Sequence, residues 1–298
     1  MPGVERRPLL SIVLVSYNVR EHLLEAVRAV YASDGVAIEV IVVDNASSDG
    51  SAEALEARFP KTSVIRSDSN LGFGKASNRG IARSRGEFVL LLNPDVVVDP
   101  DCVKTLVDFL SANAEAGAAG PRLKRPDGTL DLAARRGFPT PRAAFYRVTL
   151  LSRLFPKSRR FNRYNVGYLP EDAVHEIDAG TAACLMVRRA AIEKVGAFDT
   201  DFFMYGEDLD LCFRLKQAGW KIFYVPAAVA THIKGASSRQ ATSSMLREFH
   251  RSMWIFHRKH YATDLPAPVN GLVWLGIWSR WALLSLRSRL TRNPTVSA

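Results

Sequence analysis

The sequence is short of the features that usually place a chain at once. Its three cysteines, Cys102, Cys184 and Cys212, are too few for a disulfide scaffold and lack zinc-type spacing, which fits a reducing compartment. No GxGxxG follows the first apolar run, and no phosphate loop ending in Gly-Lys-Ser/Thr occurs, so dinucleotide and triphosphate fingerprints are excluded. The opening stretch, MPGVERRPLLSIVLVSYN, has no apolar export core or small-residue cleavage pattern, and a cytoplasmic body is expected. The longest late apolar run, 271–286, contains Arg280 and is too short to cross a hydrocarbon layer of roughly 30 Å. Internal repeats, low-complexity tracts and nucleic-acid modules are missing as well, and nucleic acid is not an expected partner.

What is present is a globular composition, 47% hydrophobic and 23% charged over 298 residues, enough for one large domain or a domain with an appendage. The formal net charge of +10 is unevenly spread. Residues 122–163 carry 12 Lys and Arg against 2 acids, residues 245–298 carry 8 against 2, and the remainder is slightly acidic. A basic belt and a basic tail on a near-neutral body suit a surface facing anionic lipid or phosphate.

Short Val/Ile/Leu runs at 11–17, Ile38–Asp44, Ser63–Arg66 and 87–92 alternate with helical patterns at 21–31, 51–59 and 74–84. This alternation predicts an α/β fold with a mainly parallel, doubly wound sheet covered on both faces. Further on, the pattern predicts helices at 101–113, 189–195 and 206–218, strands near 118, within 176–187 and at 220–225, and loops with short helices across the proline- and arginine-rich 121–163. Ligands of such sheets collect beyond the carboxyl ends of the strands. Here those ends are Tyr17-Asn18, Asp44-Asn45 and Asn93-Pro94-Asp95.

Each polar cluster has a structural and a chemical use. In VVDNASSDGS (42–51), Asp44 is either part of an Asx-rich turn or a contact to a base or ribose. In NLGFGKASNRG (70–80), the glycines permit close backbone approach, and Lys75 and Arg79 face either solvent or pyrophosphate. Pro94 stiffens the exit from a core strand, so Asp95 is either a cap or a carboxylate able to share Mg²⁺ or Mn²⁺ with diphosphate oxygens. In FFMYGEDLDLCFRLKQAGW (202–220), acids at a helix start favour the helix dipole. Leu211, Leu215 and Ala218 must face the core, which leaves Glu207 and Asp208 free to enter a cleft as general-base candidates. His232, beyond Phe223-Tyr224-Val225-Pro226, is either a surface residue or a companion of Asp95 at a metal.

Taken in order, SIVLVSYN, VIVVDNASSDGS, NLGFGKASNRG, LLLNPDVVV, AGTAACLMVRRAAIEKVGAFDTDFFMYGEDLDLCFRLKQAGW and VPAAVATH resemble the family 2 glycosyltransferases of the GT-A fold. The likeness is strongest to the rhamnosyltransferase-like branch of inverting bacterial enzymes of cell-surface polysaccharide synthesis, and it covers about three quarters of the chain. It implies a catalytic domain at 1–240, with a nucleotide-binding half at about 9–120 and an acceptor-side half at about 121–240, followed by a helical extension at 241–298. By the same resemblance, Tyr17, Asn18 and Asp44 belong to the nucleotide pocket, and Asn70, Asn78, Arg79 and Lys75 to its wall. Asn93-Pro94-Asp95 stands where many relatives have Asp-x-Asp, which leaves Asp95 as the main metal ligand and Asn93 a weak or water-mediated one. His232 completes the metal site, Asp208 is the base with Glu207 assisting, and Gly180 and Thr181 form the floor.

The implied reaction moves a sugar, with L-rhamnose from dTDP-L-rhamnose as the leading expectation, to a glycan or lipid-linked saccharide. Another UDP- or GDP-sugar, for galactofuranosyl or other hexosyl transfer, is the nearest alternative. A nucleotidyltransferase would need a glycine-rich basic loop where the chain has VSYNVREHL. A non-catalytic polysaccharide binder would leave the polar strand ends unexplained. In the tail, FHRSMWIFHRKHY and GLVWLGIWSRWALLSLRSRL mix aromatics with cations, a composition suited to an anionic membrane at the cytoplasmic face, to packing on the body, or to a homodimer.

Overall fold

The computed structural model describes residues 8–233 and 243–291. The first half alternates as expected: β1 (Leu10–Ser16), α1 (Arg20–Tyr31), β2 (Ile38–Asp44), α2 (Ser51–Arg58), β3 (Ser63–Arg66), α3 (Phe73–Arg83) and β4 (Phe88–Leu92). Next come β5 (Val96–Val98), α4 (Cys102–Ala112), β6 (Ala116–Lys124), α5 (Pro141–Val148), α6 (Leu151–Leu154), β7 (His175–Ile177), β8 (Cys184–Arg188), α7 (Arg189–Val195), α8 (Glu207–Gln217) and β9 (Lys221–His232). Two long helices, α9 (Ser243–His260) and α10 (Ala267–Thr291), close the chain.

One sheet carries the molecule, in the order β3-β2-β1-β4-β8-β6-β9-β5, with β7 also paired to β9. β1 and β4 are buried along their whole lengths, which is why they read as unbroken apolar runs. α1 buries Leu23, Ala26, Val27 and Val30, and α3 approaches β1 so closely that a Cβ at Gly80 would stand 2.4 Å from Val13 Cγ1.

From β3 to β4 the pairings are parallel; beyond β4 the sheet is mixed. β8 runs antiparallel to β4 and β6, whereas β6 and β9 are parallel. The reversal positions the site. It sets Cys184 opposite Leu92, so residues entering β8 meet the carboxyl end of β4, and the Asn93 amide donates to the Ala183 carbonyl at 2.9 Å.

Two features depart from the sequence expectation. The strand expected to stop at Val225 continues to His232, because the ladder jumps from Pro121–Val225 to Arg122–Val229 and Pro226 drops into the resulting bulge, where no ladder N–H is required of it. The unforeseen β5 pairs antiparallel with that extension and sets Val96 opposite His232. Within 121–163, the expected short helices are α5, α6 and a 3-10 turn at Leu132–Ala134.

α9 packs on the body. Its Ile255 and Phe256 are buried, and the Phe256 ring lies 5.8 Å from that of Phe213 and 6.5 Å from that of Phe138. α10 rests on α9, with Asn270 Oδ1 2.8 Å from His257 Nε2 and Arg280 donating to His250 Nε2 at 3.0 Å. Among the described residues, no helix is long and apolar enough to cross a membrane.

Candidate active site

The loops after β1 and β2 are stitched together. Asn18, held at φ 54°, accepts from the Ser48 amide at 2.8 Å and donates its own amide to Ser47 Oγ at 3.1 Å, beside an exposed Tyr17. Asp44 ends β2 as a buried carboxylate whose Oδ1 has no hydrogen-bond partner. An orphaned buried oxygen is costly unless a ligand donor meets it. Next to it, Asn45 donates to Asn70 Oδ1 at 2.9 Å and accepts from the Leu71 amide at 2.9 Å, fixing the approach to α3.

On α3 the predicted residues part company. Lys75 and Arg79 are exposed, and Arg79 donates to Ser67 Oγ at 3.1 Å, beyond the end of β3. Asn78 instead spends its amide on the backbone of Phe198, donating to the carbonyl at 2.8 Å and accepting from the N–H at 2.9 Å. It clasps α3 to the turn that precedes α8. At the start of α3, Gly72 has φ +78° and a Cβ there would stand 2.2 Å from the Phe203 carbonyl oxygen, so only glycine allows the Phe73 amide to reach that oxygen at 2.8 Å.

Asp95 and His232 come together across β5 and β9. Asp95 Oδ1 is buried without a hydrogen-bond partner, and His232 Nε2 stands 3.4 Å from it, too long for a strong bond. The other ring nitrogen is 3.0 Å from Oδ2 of the buried Asp131. With Asp131 holding the proton on Nδ1, the Nε2 lone pair would face a carboxylate oxygen, an arrangement relieved by a second proton or by a cation. Burial works against a charged His232, but the bond to Asp131 and the nearby Asp95 carboxylate outweigh it and raise its pKa. An oxygen and a nitrogen donor suit a small divalent ion that completes its shell with phosphate and water. Among the described residues no group of three or more His, Cys, Asp or Glu forms a metal cage, so the protein's share would be incomplete without substrate.

Across the rim, Tyr205 at φ 71° and Gly206 at φ 83° turn the chain into α8 and present Glu207 and Asp208. Asp208 Oδ2 accepts from Arg136 Nη2 at 2.7 Å and from the Ala182 amide at 3.4 Å, while Oδ1 accepts from the Leu209 amide at 2.7 Å. The same Arg136 nitrogen donates to the Gly180 carbonyl at 2.6 Å, and Thr181 turns the chain into β8 by accepting from the Cys184 amide at 3.2 Å. Burial alone would lower the Arg136 pKa, but the charge of Asp208 raises it. Glu207 is buried with Oε2 unpartnered, and burial followed by the charge of Asp208 pushes its pKa up to about 8. Glu207 is therefore mainly a neutral acid at pH 7, while Arg136 is bonded to the neighbouring Asp208.

The glycosyl transferase family 2 model matches residues 11–196. The chain belongs to this family. It is 32% identical over 293 residues, 95% of this chain and 92% of the relative, to the N-acetylglucosaminyl-diphospho-decaprenol L-rhamnosyltransferase of Mycobacterium tuberculosis. It is 24% identical to rhamnosyltransferase WbbL of Escherichia coli over 249 residues, 80% of this chain and 89% of that one. The mannosyltransferase PcManGT from Pyrobaculum calidifontis, solved with GDP-Man and Mn²⁺, superposes with a TM-score of 0.59 at 18% identity, covering 93% of this chain and 71% of that one. That likeness shows the GT-A fold. This family 2 member is a nucleotide-sugar glycosyltransferase.

Two residues bonded to candidate site residues, Asp131 to His232 and Arg136 to Asp208, are not singled out by the sequence. Asp131 is one of only 2 acids in the basic belt, a signal that could have drawn attention. Arg136 is one arginine among many there, and nothing local distinguishes it.

Proposed function

We propose that the chain transfers L-rhamnose from dTDP-L-rhamnose, with inversion, to a hydroxyl of a lipid-linked saccharide of the N-acetylglucosaminyl-diphospho-polyprenol type. The observation that carries this reading is the shared anchorage of two functional groups. Asn93 bonds the Ala183 carbonyl while Asp208 accepts from the adjacent Ala182 amide, so the turn bearing Asp95 and the proposed base hang from neighbouring residues. The end-to-end likeness to a rhamnosyltransferase named for a lipid-diphosphate acceptor supports the choice of substrates.

In the reaction, Asp208 accepts the acceptor hydroxyl's proton as that oxygen bonds to the anomeric carbon on the face opposite the diphosphate. The bond from that carbon to the phosphate oxygen breaks, and nucleoside diphosphate leaves with the electron pair. Arg136 keeps the Asp208 carboxylate aimed, and Glu207, as a neutral acid, adds no second negative charge beside it. Asp44 Oδ1 meets a ribose or base donor, with Tyr17, Asn18 and Asn70 around the nucleoside and Arg79 and Lys75 toward the phosphates. Asp95 and His232 would hold Mg²⁺ or Mn²⁺, with Asn93 contributing at most through water. When bound, that ion neutralises charge developing on the leaving diphosphate. A lipid-linked acceptor places this work at a membrane surface, on its cytoplasmic side.

The test is a donor panel with Mg²⁺ or Mn²⁺, read by nucleotide release and by product mass with an N-acetylglucosaminyl-diphospho-lipid acceptor. Turnover should be confined to dTDP-L-rhamnose and should add one deoxyhexose. Turnover with a UDP- or GDP-hexose in its place would overturn the donor assignment.

A further inference from the structure

Exposed apolar side chains on this protein are concentrated. Among the described residues, ten of the thirteen large exposed hydrophobics fall in two segments far apart in sequence. Five lie between Phe145 and Phe155, on and around α5 and α6, where Val148 is 82% and Leu154 69% exposed. The other five are on α10, where Leu272 is 69% and Leu283 68% exposed. Leu272, Leu275, Leu283 and Leu286 recur at helical spacing and so share one face of α10. Soluble surfaces rarely gather apolar side chains this way without a partner.

Charge selects the partner. Residues 141–169 contain seven Lys and Arg and no acid, and residues 265–291 contain three arginines and no acid. The fold brings the two segments together around α9. Phe138, three residues before α5, packs on Phe256 of α9, and α10 is tied to α9 through Arg280 and His250. Burial, and after it the positive charge of Arg147 on α5, lowers the pKa of Arg280 on α10, so two guanidiniums of separate helices are held within each other's field. Like charges within reach of each other repel, and an anion between them relieves the repulsion.

We propose that α5–α6 and α10 form a single two-part face that docks on an anionic lipid bilayer. This deepens the reading above, and its purpose rests on the lipid-linked acceptor of that reading. Exposed leucines and phenylalanines enter the headgroup boundary while the arginines engage lipid phosphates. Arg280, bonded to His250 and stacked over Phe249 with 5.8 Å to the ring centroid, pins α10 to the body so that it lies along the surface. Cations and apolar groups on α5–α6 come from the same stretch that contributes Arg136 to the site, so docking brings the base close to the bilayer.

Flotation of the full chain with phosphatidylcholine vesicles, with and without phosphatidylglycerol, tests this face in the absence of any sugar donor. Binding should require phosphatidylglycerol and fall with salt. Each cation near an anionic surface is worth roughly fivefold in partition, so the triple change Arg142→Gln, Arg147→Gln and Arg153→Gln should weaken binding on the order of a hundredfold. Phe145→Ser with Leu154→Ser, and separately Leu275→Ser with Leu283→Ser, should each lower it, with melting temperatures and nucleotide release to a water-soluble acceptor unchanged. Loss confined to the α10 variants would overturn the two-part face. So would equal binding to both vesicles, or a sedimentation shift from dimer to monomer in the α10 variants without vesicle binding by the parent. Flotation that holds while every donor fails would instead remove the proposed reaction and leave the docking face standing.

Discussion

Arg136 Nη2 bridges Asp208 Oδ2 and the Gly180 carbonyl oxygen, at 2.7 and 2.6 Å. One guanidinium thus ties the proposed base to the backbone that leads into β8. Its own backbone is tied there too, since the Arg136 amide donates to the Ala179 carbonyl at 2.8 Å.

Asp208→Asn removes the proton acceptor and keeps the shape. Transfer should fall by about two to four powers of ten, while donor affinity measured by calorimetry stays near that of the parent. Unchanged turnover with a verified acceptor would take Asp208 out of the base role.

Arg136→Leu leaves a buried carboxylate without its cation, which should cost on the order of 3–5 kcal/mol of stability and lower the melting temperature. Arg136→Lys restores the charge without the fork that spans two acceptors, and should recover most of the stability and part of the rate. Because Arg136 acts through Asp208, the loss in the Lys variant should appear in kcat, with the donor KM unmoved.

Glu207 gives stability a pH dependence. Its carboxyl is protonated in the fold up to about 8, whereas the unfolded chain releases that proton near 4.5. The folded state holds the extra proton between those values. Its contribution is complete below 4.5 and is lost as pH rises toward 8, with a limiting slope of about 1.4 kcal/mol per pH unit. Glu207→Gln should flatten this part of the curve of melting temperature against pH. A parallel curve for the variant would show that Glu207 is ionised in the fold.

Asp95→Ala should abolish the dependence of donor binding on Mg²⁺ or Mn²⁺. Asp131→Asn, which loosens His232 without touching a ligand atom, should weaken metal-dependent donor binding about 10–100-fold. Identical donor affinity of the parent with and without divalent ion would remove the metal from the site.

The first half of the fold was readable because both faces of its strands are covered, so β1, β2 and β4 appear as apolar runs with polar ends. β5 and the far half of β9 were not, because both depend on distant pairing, β5 on β9 and the far half of β9 on β6 and β5: three valines and a stretch crossing Pro226 have no local reason to be strands until they pair. The site divides in the same way. Glu207 and Asp208 declare themselves by preceding an apolar helical stripe. Arg136 reaches Asp208 across 72 residues and Asp131 reaches His232 across 101, distances over which local pattern carries no information. Asn78 shows the converse, since an amide expected at the pocket wall is engaged on the Phe198 backbone.

Asp210 stands two residues beyond Asp208, fully buried, and accepts from Arg214 Nε at 2.7 Å, from Lys259 Nζ at 2.8 Å and from His260 Nε2 at 2.8 Å. Burial alone would raise its pKa, but the bonds from His260 and Lys259 and the charge of Arg214 hold it down at about 2. A shortened chain ending before Lys259 would therefore leave Arg214 alone to match a buried anion two residues from Asp208. Swapping this tail between sister enzymes would meet the same constraint, and a graft must bring its own counter-charge for Asp210.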